Sequence, residues 1–214
     1  MPGGEASLIS LSWQPVPGAP GARIYPLIRK IDTTSSNSYL IETDDAILLI
    51  DPGGLAEQSA QLARVIEEIR EERDRPVFVF LTHAHIDHFF GTQCTPAFAH
   101  PDVAVFAVQE AGAAALERGD GKLTQADLLG QRISPVRIAL PLITDERSGF
   151  CAVPISLAFS NSATVTITRG QTRGGLAQER IQFGSGPSLE VYHTPGHSPD
   201  SICIRMGGLL CIGD

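Results

Sequence analysis

An apolar run, Val77–Leu81, leads without a break into Thr82-His83-Ala84-His85-Ile86-Asp87-His88. Five consecutive apolar residues mark a strand covered on both faces, and such a strand needs a sheet with a layer above and a layer below it. Three of the chain's six histidines and an aspartate then crowd the strand's end. The plain alternative is a set of ordinary surface histidines, but four ligand-type side chains gathered there would be costly to bury without a metal ion or other partners. In extended chain His83, His85 and Asp87 project to one side and His88 to the other, and a bend after Asp87 would turn all four toward one centre. Imidazole nitrogen and carboxylate oxygen suit Zn²⁺ and also Fe or Mn. A purely structural metal is a further alternative. Structural zinc sites favour closed tetrahedral sets, often with cysteine, and Cys94 is the only thiol near in sequence.

The same arrangement recurs downstream. Leu189–His193 runs into Thr194-Pro195-Gly196-His197-Ser198-Pro199-Asp200-Ser201, and Leu209–Ile212 into Gly213-Asp214. Short strands thus deliver candidate ligands to one rim, where α/β sheets commonly bind their ligands. Upstream, Ile24–Ile28, Ser38–Ile41 and Ala46–Ile50 read as neighbouring antiparallel strands, the third stopped by Asp51-Pro52-Gly53-Gly54. Leu62, Val65, Ile66 and Ile69 fall at helical spacing, with Glu67, Glu68, Arg70 and Glu71 on the other side. Val103–Val108 predicts another buried strand, Gln109–Arg118 a helix stopped at Gly119, and Thr164–Thr168 and Ile202–Ile204 two more strands. Pro15–Gly21 and Gly170–Gly175 read as loops. The tract from Gly121 to Ser162 reads as an insertion: Leu123–Arg132 could be a helix, and Pro135, Pro141 and Pro154 predict extended, irregular chain.

Composition narrows the classes. The 214 residues, 43% hydrophobic and 19% charged, fit one globular domain. A formal charge of −8 without a Lys/Arg-rich run argues against a nucleic-acid partner. Cys94, Cys151, Cys203 and Cys211 form no C-x-x-C pair and read as reduced thiols. No segment approaches the roughly 18 apolar residues of a membrane span, and Met1–Trp13 lacks the pattern of a secretory signal, so the expected address is cytoplasmic.

With these motifs in order along the chain, the sequence resembles the metallo-β-lactamase-fold hydrolase superfamily, which includes the glyoxalase II, lactonase and flavodiiron branches. The resemblance is carried by Asn37-Ser38-Tyr39-Leu40-Ile41, Leu48-Leu49-Ile50-Asp51-Pro52-Gly53-Gly54, the T-H-A-H-I-D-H run, Thr194-Pro195-Gly196-His197-Ser198 and Gly213-Asp214. It implies an α/β fold, the four-layer αββα sandwich, with residues 1–23 as a lead and the domain over 24–214. The insertion at about 121–162 would form a lid, a substrate wall or an oligomer contact. Family members continue past the G-D element with a strand, a helix and a last histidine. This chain has no histidine beyond His197, so the second half is expected to be incomplete, with a missing C-terminal segment, a partner copy or a single metal as the explanations.

Position by position, the resemblance implies that His83, His85 and His197 hold one metal ion, that Asp87 and His88 hold a second, and that Asp214 bridges both. Asp51 would fix a ligand histidine's orientation by hydrogen bonding, although a simple turn residue is an equal reading of it. His193 reads as a supporting residue rather than a ligand, and His100 as uninvolved. Two divalent ions, zinc or else Fe or Mn, would generate hydroxide at neutral pH, with Asp87 orienting the attacking water. The substrate would be a small molecule with an ester, thioester, lactone, β-lactam or phosphoester bond. One alternative is a persulfide dioxygenase with a single iron on His83, His197 and Asp214. Another is a metal-binding domain without catalysis. The flavodiiron branch fits less well, because it usually carries glutamate where this chain has His85.

Overall fold

The computed structural model describes residues 10–29, 35–99, 104–144, 150–155, 163–172 and 174–214. Its first sheet runs in chain order: β1 (Gln14–Pro15), β2 (Arg23–Leu27), β3 (Ser38–Glu42), β4 (Ile47–Ile50), β5 (Val77–Phe80), β6 (Val105–Gln109) and β7 (Leu140–Leu142). Pairing is antiparallel from β1 to β4 and parallel from β4 to β7. Parallel neighbours need crossovers, and these carry α1 (Ala56–Glu72), α2 (Ile86–Gln93), α3 (Pro96–Ala99) and α4 (Glu110–Arg118). The second sheet is an antiparallel meander of β8 (Phe150–Ile155), β9 (Ala163–Gln171), β10 (Ala177–Phe183), β11 (Leu189–His193), β12 (Ile202–Met206) and β13 (Leu209–Cys211).

The uninterrupted apolar strands follow from this layering. In β4, Leu48 and Ile50 join Phe78 and Phe80 of β5 against Ile181, Phe183, Val191 and Ile204 of the second sheet. The alternate residues Ile47 and Leu49, with Val77 and Val79, pack on Leu62, Ile66 and Ile69 of α1 and Phe89 of α2. The second sheet instead alternates. Ile181, Val191 and Ile204 point inward, whereas Arg180, Glu190 and Arg205 stand opposite one another on the outer face and are joined by ion pairs of 2.8 and 3.2 Å. The architecture is the α/β sandwich the sequence implies. Among the described residues no helix covers the outer face of the second sheet.

Several expectations are corrected. The tract 121–162 is not simply irregular: it contributes β7 and β8, edge strands of the two sheets, and edge positions are where Pro141 and Pro154 can dispense with a backbone N–H. Leu123–Arg132 is not a helix. Only a 3-10 turn forms over Ala126–Leu129, because Gln125 and Gly130 on either side adopt φ of 59° and 63°. β9 runs on through Gly170 to Gln171, paired with β10, and Pro15 lies in β1 rather than in a loop. Gly119 ends α4 as expected, at φ 67°. His100 and the side chain of Cys151 lie outside the described residues. No helix among the described residues is long and apolar enough to cross a membrane.

Phe183 packs on Phe78 at a ring separation of 4.7 Å and on Phe80 at 6.4 Å, where the two sheets meet. Phe183→Ala is expected to lower the unfolding free energy by about 3–5 kcal/mol in urea denaturation. A loss below about 1 kcal/mol would show that this contact does not join the sheets.

Candidate metal centre

Beyond β5 the chain bends at Thr82 and His83 and reaches His85, whose φ of −71° and ψ of 147° place it at the N-cap of α2. The Ile86 N–H donates to the Thr124 carbonyl at 2.8 Å and the His88 N–H to the His85 carbonyl at 3.0 Å, which starts the helix. The expected single bend after Asp87 is therefore replaced by a bend at Thr82 and His83 and a helix that starts at Ile86, so Asp87 and His88 sit on the first turn of α2. β11 and β12 are joined by the loop that carries His197, and Asp214 lies just past β13.

Two triplets result. His83, His85 and His197 bring their ligand atoms within 4.8 Å of one another, as do His83, His88 and Asp214. The Nε2 of His197 is 3.0 Å from the Nδ1 of His85. Asp87 belongs to neither triplet, although its Oδ2 lies 3.6 Å from the Nε2 of His88, the same distance as Asp214 Oδ1. The residue common to both groups is His83, where the resemblance gave the bridging role to Asp214. The buried Nε2 atoms of His83 and His88 have no hydrogen-bond partner. Buried polar atoms are nearly always paired, so these two orphans beside further nitrogen and carboxylate donors fit a cation. His83, His85 and His88 are buried while His197 and Asp214 are exposed, which leaves the cluster open on one side.

Asp51 stands at the end of β4 with φ 50°. Its Oδ1 accepts the Thr82 N–H at 2.8 Å, and its Oδ2 accepts the Thr82 hydroxyl at 2.7 Å and lies 3.1 Å from His88 Nδ1. The carboxylate thus faces an imidazole nitrogen as well as the Thr82 amide and hydroxyl. His193 Nε2 is 2.9 Å from the Pro199 carbonyl, so it closes the His197 loop and joins neither triplet. Two participants have no assigned role in the sequence reading. Thr82 places its hydroxyl against Asp51, 3.4 Å from ring nitrogens of both His83 and His88. Asp200, three residues beyond His197, is fully buried and accepts the Ala84 N–H, between His83 and His85. Position next to the motifs was the only sequence signal for either. Gly213 completes the packing: at φ 67° it passes so close to Thr82 that a Cβ would lie 2.8 Å from the hydroxyl oxygen.

The sequence profile of the metallo-beta-lactamase superfamily matches residues 31–209, which include all of these residues except Gly213 and Asp214. The chain belongs to that superfamily. A probable metallo-hydrolase of Streptococcus pyogenes serotype M6 is 34% identical over 84 residues, which are 39% of this chain and 33% of that relative. Among solved structures, a motif mutant of the metallo-beta-lactamase from Cronobacter sakazakii aligns with 82% of this chain and 62% of its own, at 24% identity and a TM-score of 0.43. A mutant of the metallo-beta-lactamase from Legionella gormanii aligns with 85% and 64%, at 17% identity and a TM-score of 0.45. The match therefore spans a third of the curated relative and less than two thirds of either structure's chain.

In this metallo-beta-lactamase superfamily member, the cluster divides its charges. Burial, reinforced by the neighbouring His88, His85 and His197, pushes the His83 pKa down to about 2, and burial with His197 also lowers His85. Burial opposes charge on His88 too, but the Asp51, Asp214 and Asp87 carboxylates together outweigh it, and the pKa rises to about 10. Contact with His88 in turn holds Asp214 down at about 2.

These shifts set the pH dependence of the metal-free protein. His83 stays neutral when folded while the unfolded chain takes up a proton below the ordinary value of 6.5, so stability falls as pH drops from about 6.5 toward 2. His88 binds its proton more tightly when folded, so its contribution is complete below 6.5 and is lost as pH rises through about 10. Urea unfolding is expected to show a shallower acid limb in His83→Gln and a shallower alkaline limb in His88→Gln. Unchanged limbs would contradict this division of charge.

Proposed function

We propose that the protein is a metal-dependent hydrolase acting on a small molecule through an ester, thioester, lactone, β-lactam or phosphoester bond. The observation that carries this reading is the pair of orphaned imidazole nitrogens, on His83 and His88, inside a cluster of six ligand-type side chains. His83, His85 and His197 would hold one cation, and His88 with Asp214 and Asp87 would hold a second, zinc being the metal that best suits this donor set. Bound there, such cations lower the pKa of a water ligand toward 7 and polarise the oxygen of the bond to be cleaved.

The chain's own residues do the rest. Asp87, on the first turn of α2, has a side chain 25% exposed against 1% for His88, so its carboxylate is within reach of water while the imidazole is not. It accepts a hydrogen bond from the attacking water and turns a lone pair toward the substrate. Asp51 and Thr82 hold His88 in one orientation. The exposed rim at His197 and Asp214 leaves room for substrate, unlike the closed set of a structural site. A single-iron dioxygenase on His83, His197 and Asp214 would leave His85 unused, although His85 lies 3.0 Å from His197 within the same triplet. The free thiols of Cys94, Cys203 and Cys211 suit a reducing, cytoplasmic setting.

The test is metal content followed by hydrolysis of a panel covering these bond types. Zinc-loaded protein is expected to cleave at least one class, chelation is expected to abolish the activity, and added zinc to restore it. Asp87→Asn is expected to lower kcat by roughly 10²–10⁴ with zinc still bound at the three-histidine site. A zinc-loaded protein inert on the whole panel would overturn the reading.

A further inference from the structure

The three histidines of the first triplet come from two different sheets, and the hydrolase reading leaves one buried carboxylate between them without a role. Asp200 Oδ2 accepts the Ala84 N–H at 2.8 Å, across 116 residues of chain. Its Oδ1 accepts the Ser198 hydroxyl at 2.7 Å. Ala84 lies between His83 and His85, and Ser198 follows His197. Each carboxylate oxygen therefore grips one of the two segments that carry imidazoles.

α4 seals this clasp. A Cβ on Gly112 would lie 2.3 Å from Asp200 Oδ2, so a glycine lets the helix close over the carboxylate, and Asp200 is 0% exposed. Among the described residues its hydrogen-bond partners are neutral, an amide and a hydroxyl. A carboxylate removed from water is costly unless positive charge lies near it. The place for that charge is the His83, His85 and His197 cluster, whose two segments Asp200 joins.

We propose that Asp200 is a positioning residue that sets the three-histidine site before any metal arrives and supplies, without touching the ion, the counter-charge for the cation held there. This rests on the metal reading above. Asp200→Asn keeps the shape: its carbonyl can accept the Ala84 amide and its amino group can donate to Ser198 Oγ, so the charge is what changes. The melting temperature of the metal-free variant is expected to match that of the unaltered protein. Its affinity for Zn²⁺, measured by competition with a chromophoric chelator, is expected to fall about 10–100-fold. Asp200→Ala, which also loses the clasp, is expected to fall further and to alter the visible absorption of bound Co²⁺. In the unaltered metal-free protein, the Ala84 amide is expected to exchange slowly with solvent deuterium. This measurement needs no variant and holds even if both substitutions fail to fold.

Unchanged zinc affinity in Asp200→Asn would overturn the counter-charge, and fast exchange of the Ala84 amide before metal is added would overturn the presetting. A protein that takes up no Zn²⁺ at all would instead bring down the metal reading, and this proposal with it.

Discussion

Asp51, Thr82 and His88 form a buried chain of contacts that joins the end of β4, the end of β5 and the first turn of α2. One carboxylate holds the Thr82 amide and hydroxyl and faces a histidine that would otherwise be driven neutral by burial. Without it, His88 would lose the partner of its Nδ1, and Thr82 would lose the bond that places its hydroxyl beside His83. The non-glycine φ of 50° at Asp51 marks where the backbone accepts strain to deliver that carboxylate. The parallel pairing of β4 with β5 makes this possible, because parallel neighbours end at the same edge of the sheet.

That edge explains why one half of the molecule supplies the buried members of the cluster and the other the exposed ones. β5 is covered by helices on one face and by the second sheet on the other, so His83 and His88 are buried and held. The second sheet is polar on its outer face, and the residues it contributes, His197 and Asp214, lie in its connecting loop and beyond its last strand. The cluster is thus buried on the side of the first sheet, while His197 on the side of the second is exposed.

Much of this was legible in the residues. The apolar run at Val77–Leu81 specifies a buried strand, and the histidines that follow it gather with His197 and Asp214 beyond its end. The helical spacing of Leu62, Val65, Ile66 and Ile69 located α1, and Gly119 located the end of α4. What escaped has physical causes. The start of α2 depends on hydrogen bonds from Ile86 to Thr124 and from His88 to His85, and the first of these is a tertiary contact that no local periodicity records. The proline-bearing strands β7 and β8 were missed because proline argues against strand in general but not at an edge, and edges are decided by topology. The environment of Asp200 depends on Ala84 and Gly112, both far away in sequence, so its position after T-P-G-H-S could not disclose its burial.

The central claim is that His83, His85 and His197 converge on one cation, and zinc K-edge X-ray absorption of the protein loaded with one equivalent of Zn²⁺ tests it most directly. The expected spectrum fits nitrogen and oxygen scatterers at about 2.0–2.1 Å, with the outer-shell multiple scattering of three imidazoles and no sulfur. A first shell containing sulfur at about 2.3 Å, or imidazole scattering from fewer than two rings, would contradict it.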